Sequence, residues 1–253
     1  MKRSSKFLKK IMKLIIKIFL LFFILLILFI LQIIYYRNKN YMGCNQGDNT
    51  NKVFILLTMC YRSGNLKDEK YKKDLYDSCI REWAKKDIPI FIVESSRSPY
   101  PLYIADQSEN IHVCSIDIET NGSSTNMEAR SILHALEYFK DHLTQYTHVI
   151  KISGRYFIPK IINHLNFPSD TYFIFQHRND PLIQWQNSEI FGCKKEIAFD
   201  IFNKISNGND LMEIELYNLY NSNKNRFKWT RLPPFENHNN VKRGGDGLVV
   251  NPL

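Results

Sequence analysis

The sequence predicts an α/β fold, a mainly parallel sheet flanked by helices, preceded by one N-terminal transmembrane helix. Three observations predict it. Apolar runs of strand length recur, the first over residues 53–59, and such runs are typical of strands buried on both faces of a parallel sheet. Segments with helical spacing alternate with these runs, as in α/β domains. A longer apolar stretch, residues 18–36, precedes them all.

The N-terminal stretch has the features of a signal-anchor. Residues 18–36 are apolar except for Gln32, which is about the length that a bilayer core requires. Seven cations lie before this span, against Arg37 and Lys39 just after it. This asymmetry predicts that residues 1–17 are a cytosolic tail. We expect a single-pass type II protein, with the lipid bilayer as a partner and its main domain lumenal or extracytoplasmic.

The net charge does not indicate a nucleic-acid-binding protein. Of the formal +9, seven charges lie in the first 17 residues, so only +2 remains for the rest of the chain. A nucleic-acid-binding domain carries its basic patch on its folded part, and we expect no nucleic-acid partner. Residues 37–51 are rich in Asn, Gly and Asp and predict a short stem. The folded domain is then residues 52–253.

The first half of the domain predicts a series of strands and helices. A helix is expected over residues 71–86, and strands over 88–96 and 111–117, from their apolar spacing. A second helix over 126–140 precedes a strand that contains Lys151. Because the residues after parallel strands meet at one edge of the sheet, the ends of these strands are where a ligand is expected.

Two strand ends carry polar side chains that suit a ligand. The first strand leads through Cys60 into a polar turn with Arg62, and the second ends at Glu94. An acid at such a position commonly contacts a ribose or a base. Glu94 equally suits the cap of a turn, and the first turn equally suits an ordinary βα loop.

The strand containing Lys151 runs into the turn Ser153-Gly154-Arg155-Tyr156. A glycine there lets backbone N–H groups approach an anion, and an arginine offers that anion a planar fork of donors. The alternative interpretation is a surface turn whose two cations are only solvated. Both interpretations stay open on the pattern alone.

The second half of the domain has looser spacing. A strand is predicted over 171–176, and the segment 188–192, ending in a Phe-Gly turn, leads into a helix over 194–205. Another helix is predicted over 211–220, and the remaining chain, which contains Asp246 between glycines, has the composition of loops.

The run Lys151-Ile152-Ser153-Gly154-Arg155-Tyr156 resembles the K-[IL]-[ST]-G-R-Y signature of a set of glycosyltransferase-like proteins. The helix-like segment 126–136, the segment 188–192 and the run 243–247 agree with that set in their order. The similarity covers roughly residues 52–250, and only the hexapeptide is specific. The resemblance implies a GT-A-like fold and a nucleotide-sugar donor, bound by the residues Thr58, Arg62, Glu94, Lys151, Gly154, Arg155 and Tyr156.

Many GT-A enzymes hold a divalent metal with an Asp-x-Asp at the end of the fourth strand, where this chain has Lys151 and Arg155. Two fixed cations can stabilise a leaving diphosphate without a metal, so we expect no metal cofactor. The sequence Asp117-Ile118-Glu119 is the nearest approach to a metal pair, and it falls one strand too early.

A transferase also needs a general base for the acceptor hydroxyl. The candidates are Glu189, where GT-A enzymes present acceptor-side acids, and Asp246, whose glycine neighbours permit close approach to a ligand. Either acid equally suits a helix cap or a turn. The sequence thus predicts a membrane-anchored glycosyltransferase that acts on a glycan or glycoconjugate acceptor.

Two other functions remain open. Arg62-Ser63-Gly64 after a strand resembles the phosphosulfate-binding loop of sulfotransferases, although it lacks the Thr-Thr that follows there and leaves the hexapeptide unexplained. A non-catalytic, degenerate glycan-binding protein is the second alternative, because no metal motif is present.

Overall fold

The structure, a computed structural model, describes residues 52–62, 66–98, 100–105, 108–118, 122–177 and 186–236. Within them lies a seven-stranded mixed sheet. Its strands are β1 (Val53–Met59), β2 (Ile90–Glu94), β3 (Ile111–Ser115), β4 (His148–Ser153), β5 (Thr171–His177), β6 (Gln186–Lys194) and β7 (Lys228–Arg231). The helices are α1 (Leu66–Ala84), α2 (Tyr100–Ala105), α3 (Ser124–Tyr138), α4 (Lys195–Ser206) and α5 (Met212–Asn223). Short 3₁₀ turns cover His142–Gln145 and Pro159–His164.

The strand order is β3-β2-β1-β4-β6-β5-β7. Strands β3, β2, β1 and β4 are parallel. Strand β6 is antiparallel to both β4 and β5, while β7 is parallel to β5. In chain order, β2 and β3 are therefore added on one side of β1, and β4 is then added on its other side. This change of side creates a topological switch point between β1 and β4, where α/β proteins bind ligands.

Apolar clusters cover both faces of the sheet. Strand β1 is buried over its whole length because alternate side chains serve the two clusters. Ile55 and Leu57 pack with Trp83 of α1 on one face. Phe54 and Leu56 belong to the cluster that includes residues of α3 and α4 on the other. The predicted mainly parallel sheet with flanking helices is confirmed.

Strand β6 corrects the sequence-based prediction. We expected a Phe-Gly turn at residues 191–192, but Phe191 and Gly192 lie inside β6. A Cβ atom on Gly192 would lie 3.0 Å from Ile174 Cβ and 3.1 Å from Ile150 Cγ1. Because Gly192 has no side chain, Ile150 of β4 and Ile174 of β5 can pack closely over β6 at this position. No turn is formed.

The predicted membrane span and stem lie outside the described residues. Among the helices that the structure does describe, none combines the length and the apolar character needed to cross a bilayer.

Candidate functional site

Four charged side chains meet at the switch point, and we call them the paired-charge cluster: Glu128, Lys151, Arg155 and Glu189. Glu128 lies near the start of α3 and Lys151 lies on β4. Arg155 follows the β4 turn, and Glu189 lies in the first half of β6. These elements meet because β4 pairs with β1 on one side and with β6 on the other.

Lys151 is the buried member of the cluster. Its side chain is only 1 % exposed, and its Nζ lies 2.6 Å from Glu128 Oε1. The same ammonium donates a hydrogen bond of 2.6 Å to the Ser188 carbonyl. In this structure Lys151 therefore holds Glu128 and the β6 backbone in place. Its predicted direct contact with a diphosphate stays a prediction.

Thr58 completes the support beneath Glu128. It lies near the end of β1, and its Oγ1 donates a hydrogen bond of 2.7 Å to Glu128 Oε1. Burial by itself raises the pKa of Glu128, but the charge and hydrogen bond of Lys151 and the hydroxyl of Thr58 outweigh it. The pKa of Glu128 is held below its ordinary value, and the carboxylate stays ionised at neutral pH.

Arg155 and Glu189 form the second pair of the cluster. Arg155 Nε lies 4.0 Å from Glu189 Oε2, and the side chains are 27 % and 10 % exposed. Burial by itself lowers the pKa of Arg155, but Glu189 and neighbouring groups raise it above the ordinary value. The Nε–H group is buried and, among the described residues, donates to no hydrogen-bond acceptor. Arg155 is thus the more exposed of the two predicted cations, and its contact with a ligand stays a prediction.

Gly154 and Tyr156 have structural contacts of their own. The Gly154 N–H donates to the Thr58 carbonyl over 2.9 Å, so this amide is occupied within the protein. A Cβ atom at Gly154 would lie 3.0 Å from that same carbonyl and would overlap Met59. The side chain of Tyr156 is buried in the core, 2 % exposed. Its ring centre lies 5.8 Å from the Arg155 guanidinium carbon.

A pocket opens beside the cluster, at the carboxyl ends of β1 and β2. Its volume is about 440 Å³, and we call it the β1–β2 pocket. It is lined by Tyr61, Arg62, Glu69, Lys70, Lys73, Ser96 and Ser98. Three of the lining side chains are cationic and one is anionic. Tyr76 links pocket and cluster, because its ring lies 5.0 Å from that of Tyr61 and it contributes to the raised pKa of Arg155.

Glu94 accepts hydrogen bonds from the residues that form the walls of the β1–β2 pocket. The residue is fully buried. Its Oε1 accepts from the Tyr61 N–H at 3.4 Å, the Ser96 N–H at 2.9 Å and the Ser96 hydroxyl. Its Oε2 accepts from the Ser98 N–H at 2.5 Å and the Ser115 hydroxyl at 3.2 Å. The structure thus shows the turn-capping arrangement for Glu94, and a ribose or base contact stays a prediction.

Arg62 lies at the mouth of the pocket, paired with Asp117. The two side chains are 41 % and 42 % exposed. The hydrogen bond from Arg62 holds the pKa of Asp117 below its usual range. Asp117 therefore has a cation as its partner. Glu119, the other acid of the Asp-x-Glu sequence, lies outside the described residues.

In the part of the chain that the structure describes, no three His, Cys, Asp or Glu side chains come together as metal ligands. Asp246 lies outside the described residues, as do Ser63 and Gly64. The described cysteines, Cys60, Cys79, Cys114 and Cys193, are free thiols.

Glu128 is the site residue that the sequence did not predict. It lies on a helix with ordinary helical spacing, and its partner Lys151 is 23 positions away. One feature of the sequence could have indicated it: an acid near the start of the helix that precedes the strand with the hexapeptide. Such a position places a side chain at the carboxyl edge of the sheet, since the helix crosses from that edge to the other.

No family model and no curated protein matches the chain. Solved structures do match. A nucleoside-diphosphate-sugar pyrophosphorylase from Vibrio cholerae RC9 is 10 % identical, with 71 % of this chain and 92 % of that chain covered and a TM-score of 0.46. A mannosyltransferase from Pyrobaculum calidifontis, solved with GDP-Man and Mn²⁺, is 11 % identical over 80 % of this chain and 62 % of that chain, with a TM-score of 0.45.

A glycosyltransferase involved in the glycosylation of the major capsid of PBCV-1 is 8 % identical, with 71 % of this chain and 81 % of that chain covered and a TM-score of 0.44. Likenesses at this level do not identify a substrate or a reaction. Those must come from the chain's own residues.

Proposed function

We propose that this chain is a membrane-anchored glycosyltransferase with a GT-A-like fold, which moves a sugar from a nucleotide-sugar donor to a glycan or glycoconjugate acceptor. The observation that carries the proposal is the presence of a cationic pocket at the carboxyl ends of β1 and β2 and of the paired-charge cluster at the switch point between β1 and β4. A nucleotide-sugar donor is elongated: its nucleoside suits the pocket, and its diphosphate and sugar suit the cluster.

The size and charge of the pocket suit the nucleotide. Its volume of about 440 Å³ lies within the range of about 300–1,000 Å³ that small-molecule sites occupy. Arg62, Lys70 and Lys73 line it, and such cations attract phosphates. The Arg62–Asp117 pair is exposed on both sides, so Arg62 can exchange this partner for a phosphate at small cost.

The cluster suits the reacting end of the donor. In the transfer, an acceptor hydroxyl oxygen attacks the anomeric carbon while the bond from that carbon to the diphosphate oxygen breaks. The nucleoside diphosphate leaves with the bonding electron pair, and the hydroxyl proton passes to a carboxylate. Arg155 is placed to stabilise the charge that develops on the leaving oxygen. Glu189 and Asp246 are the candidate proton acceptors.

The charge balance of the cluster favours a transfer that does not depend on Mg²⁺ or Mn²⁺. Each carboxylate already has a cation: Glu128 has Lys151, and Glu189 has Arg155. A divalent ion between them would therefore meet no net negative charge. We expect activity to persist in EDTA. Loss of activity on chelation, with recovery on added Mn²⁺, would contradict this part of the proposal.

Anchoring is tested separately. In sealed microsomes, a type II orientation protects the C-terminal domain from added protease until detergent opens the membrane. Digestion without detergent would rule out the proposed orientation, while leaving the transfer reaction untouched.

Binding measurements on the full-length protein test the transfer proposal. We expect UDP or GDP, and the matching nucleotide sugar, to bind with micromolar affinity or better. Arg155→Ala removes charge-assisted hydrogen bonds worth about 1.5–3 kcal/mol, and should weaken binding about 10- to 150-fold. Lys140→Ala is the matched control, because Lys140 follows the far end of α3 and is 62 % exposed.

The same measurements separate the alternatives. Binding of adenosine 3′,5′-bisphosphate, without UDP or GDP, would favour a sulfotransferase. Binding of a glycan without any nucleotide would favour a non-catalytic glycan-binding protein. Equal affinities for wild type and Arg155→Ala would show that Arg155 does not contact the donor.

A further inference from the structure

Glu128 is a carboxylate with one oxygen fixed and the other available. Its Oε1 accepts both described hydrogen bonds, from Thr58 Oγ1 at 2.7 Å and from Lys151 Nζ at 2.6 Å. Among the described residues, Oε2 accepts no hydrogen bond, and the side chain is 28 % exposed. Both supporting groups are buried. The carboxylate is thus held from within the protein, with its second oxygen left to accept hydrogen bonds from a ligand.

A guanidinium lies in the same small region. The charge of Arg155 contributes to the lowered pKa of Glu128, and Arg155 pairs with Glu189 of the neighbouring strand β6, Nε to Oε2 over 4.0 Å. Arg155 Nε is buried and, within the described residues, has no hydrogen-bond partner. Since buried N–H groups rarely stay unpaired, this atom points independently to a ligand at the same place.

We propose that Glu128 Oε2 accepts hydrogen bonds from the hydroxyl groups of an uncharged donor sugar, with Lys151 and Thr58 as its positioning residues. The inference rests on the proposed function. In a nucleotide sugar, an anionic diphosphate is joined to the ring. At the switch point, the guanidinium of Arg155 and the carboxylate of Glu128 both belong to the paired-charge cluster. The anion therefore matches the guanidinium, and the hydroxyl groups, as donors, match the carboxylate.

The same arrangement discriminates against acidic sugars. A sugar carboxylate placed at Glu128 would meet a like charge, and Glu189 adds a second one nearby. Lys151 offers a sugar carboxylate no hydrogen bond in its place, because its side chain is 1 % exposed and its ammonium is already bound on two sides. Like-charge contacts of this kind are a usual basis of specificity against a competing ligand. The sugar bound here is therefore a neutral, hydroxyl-bearing one.

Titration calorimetry on the full-length protein tests this inference with paired probes. These are UDP with UDP-glucose and UDP-glucuronate, and GDP with GDP-mannose and GDP-mannuronate. The measured quantity is the sugar factor, the dissociation constant of the bare nucleotide divided by that of its nucleotide sugar. For wild type we expect a sugar factor at least tenfold higher for the neutral sugar than for the acidic one.

Two variants follow. Glu128→Gln should lower the neutral-sugar factor about tenfold, as expected for a charge-assisted hydrogen bond, and should leave bare nucleotide affinity within about twofold. Because this change leaves Lys151 buried without its carboxylate, the double variant Glu128→Gln with Lys151→Met provides a charge-matched second test. It should abolish the preference for the neutral over the acidic sugar. Glu137→Gln, a 66 % exposed acid on the same helix, is the control.

Three results would overturn the inference. The first is an equal loss of affinity for bare nucleotide and nucleotide sugar, which would indicate a general effect on the site. The second is an unchanged neutral-sugar factor in both variants. The third is a wild type that binds the acidic sugar as tightly as the neutral one. Failure of the proposed function looks different: neither UDP nor GDP then binds even to wild type, and the inference falls with it.

Discussion

Two of the described cation–carboxylate pairs near the end of β1 lie in opposite environments. Lys151 and Glu128 pair over 2.6 Å with side chains 1 % and 28 % exposed. Arg62 and Asp117 pair at the mouth of the pocket with side chains 41 % and 42 % exposed. Burial weakens the screening of the first pair, whereas water competes with the second. The buried pair is therefore suited to fix geometry, and the exposed pair to exchange its partner for a ligand.

The largest expected effect comes from removing one half of the buried pair. Lys151→Met leaves the Glu128 carboxylate without its cation, and leaves the Ser188 carbonyl without its donor. Loss of one partner from a buried pair typically costs about 3–5 kcal/mol, and the partial exposure of Glu128 favours the lower figure. Urea unfolding measures the change.

The double variant Lys151→Met with Glu128→Gln is the control for that experiment. Because it removes both charges, it should recover most of the lost free energy of unfolding. A single variant within about 1 kcal/mol of wild type would contradict the structural role given to the buried pair.

The next effect concerns the turn that carries Arg155. Gly154→Ala places a Cβ atom 3.0 Å from the Thr58 carbonyl and against Met59. The Thr58 carbonyl belongs to the backbone and cannot move aside as a side chain does. Overpacking of this kind lowers the free energy of unfolding by about 1–3 kcal/mol. Gly208→Ala is the comparison, because its nearest contact is the end of a flexible side chain, Glu215 Oε1 at 2.7 Å. Equal losses of unfolding free energy would show that the Gly154 turn is no tighter than an ordinary one.

Acid should weaken the buried pair. The folded-state pKa of Glu128 lies below its ordinary value of 4.5, so its stabilisation is fully present above that value. It is lost as the pH falls through the lowered pKa. Between pH 5 and 2, wild type should therefore lose more unfolding free energy than the Lys151→Met, Glu128→Gln variant does. Parallel curves for the two proteins would mean that the pair contributes nothing to the pH dependence.

The smallest effect on stability is expected at the exposed pair. Arg62→Ala should leave the urea midpoint within experimental error, because exposed ion pairs contribute little. It should instead weaken nucleotide binding, since Arg62 lines the β1–β2 pocket. A clear fall of the urea midpoint would show that the pair supports the fold and is not free to exchange for a phosphate.

The sequence predicted the elements that are buried on both faces, and missed those that are not marked by composition. Strand β1 was predictable because all seven of its residues are buried and six are apolar. Strand β6 was missed because it begins with four polar residues, Gln186-Asn187-Ser188-Glu189. All of them except Ser188 are buried, because β6 lies between β4 and β5. Strand β7 was missed because it is four residues long and mostly exposed.

The same distinction applies to the candidate site. The hexapeptide predicted cations at the end of a strand, and Lys151 and Arg155 do lie at and just after the end of β4; their contact with a ligand stays a prediction. The carboxylates that pair with Lys151 and Arg155 are distant in the sequence. Nothing near Lys151 in the sequence indicates that its ammonium meets Glu128, and nothing near Glu94 shows that its oxygens accept bonds from three backbone N–H groups. Such contacts are set by tertiary packing, which local patterns do not contain.

The attachment of the pocket to Glu94 has a consequence for how readily the pocket can evolve. Tyr61 and Ser98 are held through their main-chain N–H groups, and every residue other than proline supplies such a group. These main-chain bonds therefore survive an exchange of either side chain. The ring of Tyr61 also packs against Tyr76, whereas Ser98 has no ring. Mutation of Ser98 therefore gives a lineage, or a designer, a way to alter the lining of the β1–β2 pocket without rebuilding its loops. Only Glu94 itself must stay.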